Sequence, residues 1–180
     1  MKNAKQILGI AVLGLALSGF TSCKNDKGTT ENTAPTVAPT VEHKEMAMEQ
    51  SQPKFKDELV GATFQHYIHL KSALVKSDNA EAKSGAKMMA ETTTDESLKV
   101  LAVKISEENE IKIQRELFSD LTTALKPIIA GNIISGEIYE QNCPMALKGG
   151  ANWFAVEKQI NNPYYGDKML HCGLVQETLK

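Results

Sequence analysis

Arginine, tryptophan and cysteine are all scarce in this chain of 180 residues, which has one Arg, one Trp and three Cys. With a single Arg (Arg115) and a formal net charge of −2, the sequence has no basic patch, so a nucleic-acid partner is not expected. The glycine-rich phosphate loops and the HExxH and GxSxG patterns of common enzymes are also missing. We therefore expect a binding or scaffold protein, and not an enzyme.

No apolar run reaches the roughly 20 residues that a membrane-spanning helix needs. The longest, Ile7–Leu17, follows two lysines, an arrangement typical of a secretory signal peptide. The segment Gly19–Cys23 resembles a lipobox, in which the chain is cut before a lipid-modified Cys. We predict a signal peptide over residues 1–22 and lipidation of Cys23, so that acyl chains hold the protein on a membrane. An ordinary secretory signal with a chance cysteine is the alternative.

Residues 23–53 are predicted to form a tether that begins at the lipidated Cys23. Apolar residues are sparse there, and the sequence APTV occurs twice, over residues 34–37 and 38–41. Such a segment cannot bury enough apolar surface to offset its conformational entropy, so we expect it to be disordered. It would hold a folded domain away from the membrane of the cell envelope, either facing the periplasm or exposed on the surface.

From residue 54 onward, apolar residues recur at helical spacing. We predict four helices, the first over Phe55–Lys76, the second over Ala80–Ala90, the third carrying Leu98–Ile105 and the fourth carrying Ile111–Ile128. Pro127 should loosen the last turn of the fourth helix, and Gly131 should end it. Because the connections are short, residues 54–180 are predicted to be a mainly α domain, an antiparallel helical bundle.

The helical pattern stops after the fourth helix. Residues 134–142 and 153–156 are expected to be short strands or extended segments, and residues 161–163 and 166–167 have the composition of turns. The bundle is therefore predicted to carry an irregular, β-containing C-terminal segment, which holds most of the unusual residues of the chain.

Two motifs in this segment combine a thiol with a thioether, namely CPM over residues 143–145 and MLHCG over residues 169–173. Thiolates and thioethers are soft ligands that suit Cu(I) or Ag(I). If the chain folds back between the motifs, they form one soft-metal site with the predicted ligands Cys143, Met145, Met169, Cys172 and His171. The supporting residues are expected to be Trp153, Asn162 and Tyr164.

A structural disulfide between Cys143 and Cys172 is the alternative interpretation. Disulfides form in exported proteins, and Cys23 is used by the lipid, so two cysteines remain to pair. Closing a loop of about 30 residues would contribute roughly 3–4 kcal/mol through the chain entropy of the unfolded state. The two methionines would then be ordinary packing residues.

Residues 138–176 resemble the C-terminal signature of an uncharacterised domain family of Gram-negative bacteria. The resemblance is carried by Cys143-Pro144-Met145, Trp153, the stretch 162–170 and Cys172-Gly173, and in weaker form it covers about residues 55–176. That family occurs as stand-alone exported proteins and fused to periplasmic adaptor subunits of copper/silver-type efflux pumps. The resemblance therefore implies a heavy-metal role and an efflux adaptor as a partner.

Two functions follow from these patterns. The first is an envelope lipoprotein that binds Cu(I) or Ag(I) through Cys and Met ligands and sequesters the ion or passes it to an efflux system. The second is an envelope interaction or scaffold protein that binds no metal and has a structural Cys143–Cys172 disulfide.

Overall fold

The structure, a computed structural model, describes residues 52–180. The signal peptide predicted over residues 1–22, the lipidation of Cys23 and the tether up to residue 51 lie outside this part of the chain. Within residues 52–180, no helix is both long enough and apolar enough to cross a membrane.

Four helices form the first part of the domain. They are α1 (Glu58–Val75), α2 (Asn79–Thr92), α3 (Glu96–Glu107) and α4 (Ile111–Ala130). Three-residue connections join them, and each helix packs against the next, which confirms the predicted helical bundle. The first three helices begin after an Asp whose side chain accepts hydrogen bonds from backbone N–H groups of the first turn, namely Asp57, Asp78 and Asp95.

Five short strands complete the fold. They are β1 (Lys54–Phe55), β2 (Ile133–Ser135), β3 (Ile138–Cys143), β4 (Ala151–Ala155) and β5 (Leu174–Leu179). β1 and β2 form a two-stranded antiparallel sheet, and the other three form an antiparallel sheet in the order β4-β3-β5. This confirms the predicted β-containing C-terminal segment. The extended segment predicted over residues 134–142 is divided at Gly136, whose φ is 84°.

One buried network joins the helices to the three-stranded sheet. Tyr67 of α1 is fully buried, with its ring centroid 5.0 Å from that of Phe118 on α4 and 5.9 Å from that of Phe154 on β4. Thr122 donates its only hydroxyl hydrogen to the Phe118 carbonyl, so the Tyr67 hydroxyl must donate to the Thr122 oxygen, 2.8 Å away. The Tyr67 oxygen in turn accepts the Phe154 N–H at 3.1 Å. Helices and sheet therefore share a single core.

The loop that follows β4 is held from two sides. Lys71 of α1, only 3% exposed, places its Nζ 2.6 Å from the Glu157 carboxylate. Gln141 of β3 donates from Nε2 to the carbonyls of Glu157 and Gln159, at 2.8 and 3.1 Å. These contacts fix the path of the chain into residues 161–165, the region that supports the cysteine motifs.

Candidate functional site

The sheet brings the two cysteine motifs together. Cys143 is the last residue of β3, and β5 begins at Leu174, which pairs with Asn142 in antiparallel register. The thiol of Cys172 therefore lies next to that of Cys143 at one end of the sheet. Both are free thiols; Cys143 is fully buried and Cys172 is half-buried. Of the five residues predicted to converge on one metal site, the structure thus brings the two cysteines together.

The neighbouring thiol changes the acidity of Cys172. A hydrogen bond with the Cys143 side chain, together with desolvation and the negative charge that a Cys143 thiolate would carry, raises the pKa of the Cys172 thiol above its ordinary value. The Cys172 thiol is therefore expected to stay protonated at neutral pH unless a bound cation displaces its proton.

The turn after β3 places Met145 on the outside. Cys143 accepts at its carbonyl the N–H of Ala146, and the Ala146 carbonyl accepts the N–H of Gly150, so the chain folds tightly around the buried Ala146. The Met145 side chain is 55% exposed. Its carbonyl accepts a hydrogen bond from the Tyr165 hydroxyl. Met145 is thus close to Cys143 in the chain, while its thioether is accessible to solvent.

The second motif forms another turn. A short 3-10 helix spans Gly166–Lys168, and the N–H of Cys172 donates to the Met169 carbonyl at 3.0 Å, so Met169 and Cys172 occupy the same turn. Met169 is half-buried. His171 is exposed, and its Nδ1 lies 2.8 Å from the Ile160 carbonyl oxygen. Within residues 52–180, no three His, Cys, Asp or Glu side chains are grouped so that they could hold a metal ion, so His171 does not join the two thiols.

Asn162 fixes the position of Cys172. Its side chain is fully buried; Nδ2 donates to the Cys172 carbonyl at 2.9 Å, and Oδ1 accepts the N–H of Tyr164 at 2.8 Å. Its own backbone N–H donates to the Leu170 carbonyl at 2.8 Å. One amide side chain therefore holds the two chain segments around the second motif in register.

Trp153 and Gly173 form the inner wall behind the thiols. Trp153 on β4 is fully buried, and its ring makes an edge contact with that of Tyr164, with the centroids 6.1 Å apart. Gly173 has a φ of 145°, and a Cβ added there would lie 2.8 Å from both the Asn142 carbonyl oxygen and the Trp153 ring. Only glycine fits this position without a shift of the backbone or the indole.

Tyr164 is held from within the core. Its hydroxyl donates to the Asn152 carbonyl, and burial raises its pKa well above the ordinary range. All three predicted supporting residues, Trp153, Asn162 and Tyr164, are thus buried beside the cysteine motifs. The hydrogen bonds of Arg115, described below, were not predicted from the sequence.

Most of the helical part is similar to an uncharacterised domain family. Residues 63–136 match the model of a family described as a protein of unknown function (DUF3347). The matched range runs from Thr63 on α1 through α4 to the end of β2, and it stops before β3 and both cysteine motifs. No curated protein and no solved structure matches the chain.

Proposed function

We propose that this protein binds a soft monovalent cation, Cu(I) or Ag(I), between the thiolates of Cys143 and Cys172. The observation that supports the proposal is the position of the two thiols, which lie side by side at the end of the sheet although they come from separate motifs. Sulfur ligands favour Cu(I) and Ag(I) over harder ions. The wall formed by Trp153, Asn162 and Gly173 keeps the two sulfurs in place before an ion arrives.

Binding replaces protons with the ion. Each thiol loses one proton to solvent as its sulfur ligates the cation, so an uncharged pair and M⁺ give a complex with a charge of −1 and two released protons. The raised pKa of Cys172 means that its proton is still present at neutral pH. The apparent affinity is therefore expected to increase with pH throughout the neutral range, and up to the pKa of Cys172.

The methionines give the site a route for exchange. Met169 shares a turn with Cys172, so its thioether is the third ligand in the proposal. The exposed Met145 lies two residues from Cys143 and would collect an ion from solvent or from a carrier, before the ion moves to the buried thiol. Stepwise substitution among sulfur ligands transfers the ion without chemical turnover. His171 is proposed only as an outer ligand, because it is exposed and turned toward the Ile160 carbonyl.

We further propose that Cys23 is lipidated and holds this domain on a membrane of the cell envelope, where it sequesters the ion or passes it to a heavy-metal efflux adaptor. The support is the signal-like segment and lipobox-like sequence, together with the resemblance of residues 138–176 to a domain fused to such adaptors. Cys23→Ser should move the protein from the membrane fraction to the soluble fraction. Metal sensitivity of a strain that lacks the gene should be relieved by the wild type and not by a Cys143→Ser/Cys172→Ser variant.

The proposal is tested by anaerobic titration of the reduced, purified full-length protein with Ag(I), and with Cu(I) in competition with a chromogenic Cu(I) chelator. Trp153 is the only tryptophan and packs against Gly173, next to Cys172, so its fluorescence should change as the site fills. The Cys143→Ser/Cys172→Ser variant should lose at least about 100-fold in affinity, because both strong ligands are gone. Met169→Leu should weaken binding by less, and Met88→Leu on α2 is the matched control that should leave it unchanged.

Equal affinity in the wild type and the double Cys variant would reject metal binding at this site. The structural disulfide is the second candidate, supported by the same contact between two free thiols. If it is correct, thiol titration of protein purified without reductant should find neither Cys143 nor Cys172, and reduction should lower the free energy of unfolding by about 3–4 kcal/mol. Stability unchanged by reduction would exclude a structural bridge.

A further inference from the structure

A cleft of about 650 Å³, partly open to solvent, lies between the start of α4 and the loop that follows β3. Lys112, Arg115 and Glu116 line it from α4, and Leu147 and Lys148 line it from the loop. The volume lies within the range of small-molecule sites. Three cations and one carboxylate give the lining a net charge of +2, whereas the whole chain has a net charge of −2.

Arg115 is built into the wall of this cleft. Its Nε donates to the Pro163 carbonyl at 2.7 Å, and its Nη2 donates to the Leu74 carbonyl at 3.0 Å and to Ser77 Oγ at 2.9 Å. The guanidinium is therefore fixed, while its Nη1 has no hydrogen-bond partner within residues 52–180. A fixed Arg with unused donors is well suited to bind a carboxylate or phosphate.

The rest of the lining is apolar or aromatic. Tyr164 and Tyr165 line the cleft together with Leu147. Tyr165 is anchored because its hydroxyl donates to the Met145 carbonyl, so its ring presents a fixed surface.

We propose that this cleft binds a small organic anion whose carboxylate or phosphate group meets the cations of the two walls while its apolar body lies against the tyrosines. Lys112 and Arg115 are three positions apart on α4 and so share one face of the helix, and Lys148 belongs to the opposite wall. An anion between the walls is therefore attracted from both sides. Glu116 reduces this attraction, because its carboxylate repels the anionic group of the ligand.

The site is independent of the proposed metal function, because neither cysteine lines it. It does share the loop after β3 with Met145, so an anion in the cleft would restrain the segment that carries the exposed thioether. The cleft should bind anions equally well in the wild type and in the Cys143→Ser/Cys172→Ser variant. A failure of anion binding and a failure of metal binding can thus be told apart.

Phenyl phosphate is the probe, and binding is followed on the ¹⁵N-labelled full-length protein by NMR chemical shifts. Shifts should concentrate around residues 111–116, 147–148 and 164–165, with a dissociation constant on the order of 1 mM at low salt. Benzyl alcohol, which has the ring without the charge, should bind at least about fivefold more weakly. Inorganic phosphate, which has the charge without the ring, should also bind more weakly.

Charge variants test the proposed contacts. Lys112→Gln/Lys148→Gln should weaken phenyl phosphate binding by roughly five- to tenfold, and Glu116→Gln should tighten it by roughly two- to fivefold, because the carboxylate repels the anion. Lys87→Gln on α2 is the matched control, since Lys87 is an exposed lysine that does not line the cleft. Affinity should also fall as salt is raised. Shifts elsewhere in the domain, equal binding of benzyl alcohol, or equal affinity in the double Lys variant would each overturn the proposal.

Discussion

Replacing Gly173 by Ala should be one of the most damaging single-methyl changes in this domain. The new Cβ would lie 2.8 Å from both the Asn142 carbonyl oxygen and the Trp153 ring, and 3.3 Å from Ile160 Cγ2. The residue would also have to keep a φ of 145°, which L-amino acids rarely adopt. The contact and the backbone conformation contribute separately to the loss of stability.

Two other glycines separate these contributions. Gly149 has a φ of 104° and open space around an added Cβ, so Gly149→Ala should lose only the backbone part, about 1–2 kcal/mol. Gly85 lies within α2, and an added Cβ would be 3.0 Å from the Leu70 backbone nitrogen. Without a backbone cost, Gly85→Ala is therefore destabilised only by the close contact. That cost is partly offset by the better helix propensity of Ala, leaving a loss of about 0–2 kcal/mol.

Gly173→Ala combines a backbone cost of about 1–3 kcal/mol with a packing cost of about 1–3 kcal/mol, so we expect the free energy of unfolding to fall by about 4 kcal/mol. The assay is equilibrium urea denaturation in the presence of reductant, followed by circular dichroism and by Trp153 fluorescence. The midpoint should fall without a change in slope. A loss no greater than that of Gly149→Ala would refute the close approach of Gly173 to Trp153.

Three further predictions concern single side chains. Asn162→Ala should lower the free energy of unfolding, measured by urea denaturation, by about 2–4 kcal/mol, because the Cys172 carbonyl and the Tyr164 N–H lose their hydrogen-bond partners. Asn162→Asp keeps only the acceptor, so it should recover little of this loss. Tyr67→Phe should lower the free energy of unfolding, measured by thermal denaturation, by about 1–3 kcal/mol, because the Phe154 N–H loses its acceptor. A loss below about 0.5 kcal/mol, roughly the noise of such measurements, would contradict the hydrogen bond. Cys143 raises the pKa of the Cys172 thiol, so a Cys143→Ala variant should have a more acidic Cys172. Iodoacetamide should therefore alkylate Cys172 faster at pH 8 in this variant than in the wild type, and the pH–rate profile should shift to lower pH. Mass spectrometry of the modified peptide measures the rate, and an unshifted profile would argue against contact between the thiols.

The helices could be predicted from the sequence because their apolar periodicity is a local property. The predicted positions agree with α1 to α4 to within a few residues at most ends. The start of α3 is set by Asp95, which is its N-cap, while the Thr93 hydroxyl accepts the Asp95 N–H. Pro127 does not end α4, which continues to Ala130, because only one backbone donor is lost near the end of the helix.

Two strands gave no local signal. β5 is exposed along five of its six residues, so it lacks the alternation of buried and exposed side chains by which a strand is recognised. It becomes a strand because it pairs with β3, and each pair of residues in this ladder is more than 30 positions apart in the sequence. β1 has two residues, too few for any periodicity.

The candidate site was predictable in its residue types but not in its geometry. Soft ligands in two motifs indicated which side chains to consider, and the structure brings the thiols of Cys143 and Cys172 together. The exposure of Met145 depends on the turn packed around Ala146, and the direction of His171 depends on a carbonyl eleven residues away. The cleft beside Arg115 is lined by α4 together with residues 147–148 and 164–165, and Arg115 is fixed by residues 74–77 and Pro163. Because these segments are distant in the sequence, the sequence around Arg115 gave no signal.

The hydrogen bond from the Phe154 N–H to the Tyr67 hydroxyl has a consequence for where this protein can be divided. It joins the first helix to a strand 87 positions later, and that strand lies beyond the end of the family match at residue 136. A polypeptide limited to the matched range would expose to solvent the Tyr67 side chain and the aromatic rings stacked on it. Proteolysis between the helices and the sheet should therefore release fragments that neither keep their shape nor stay in solution, and heating should melt both parts in one transition.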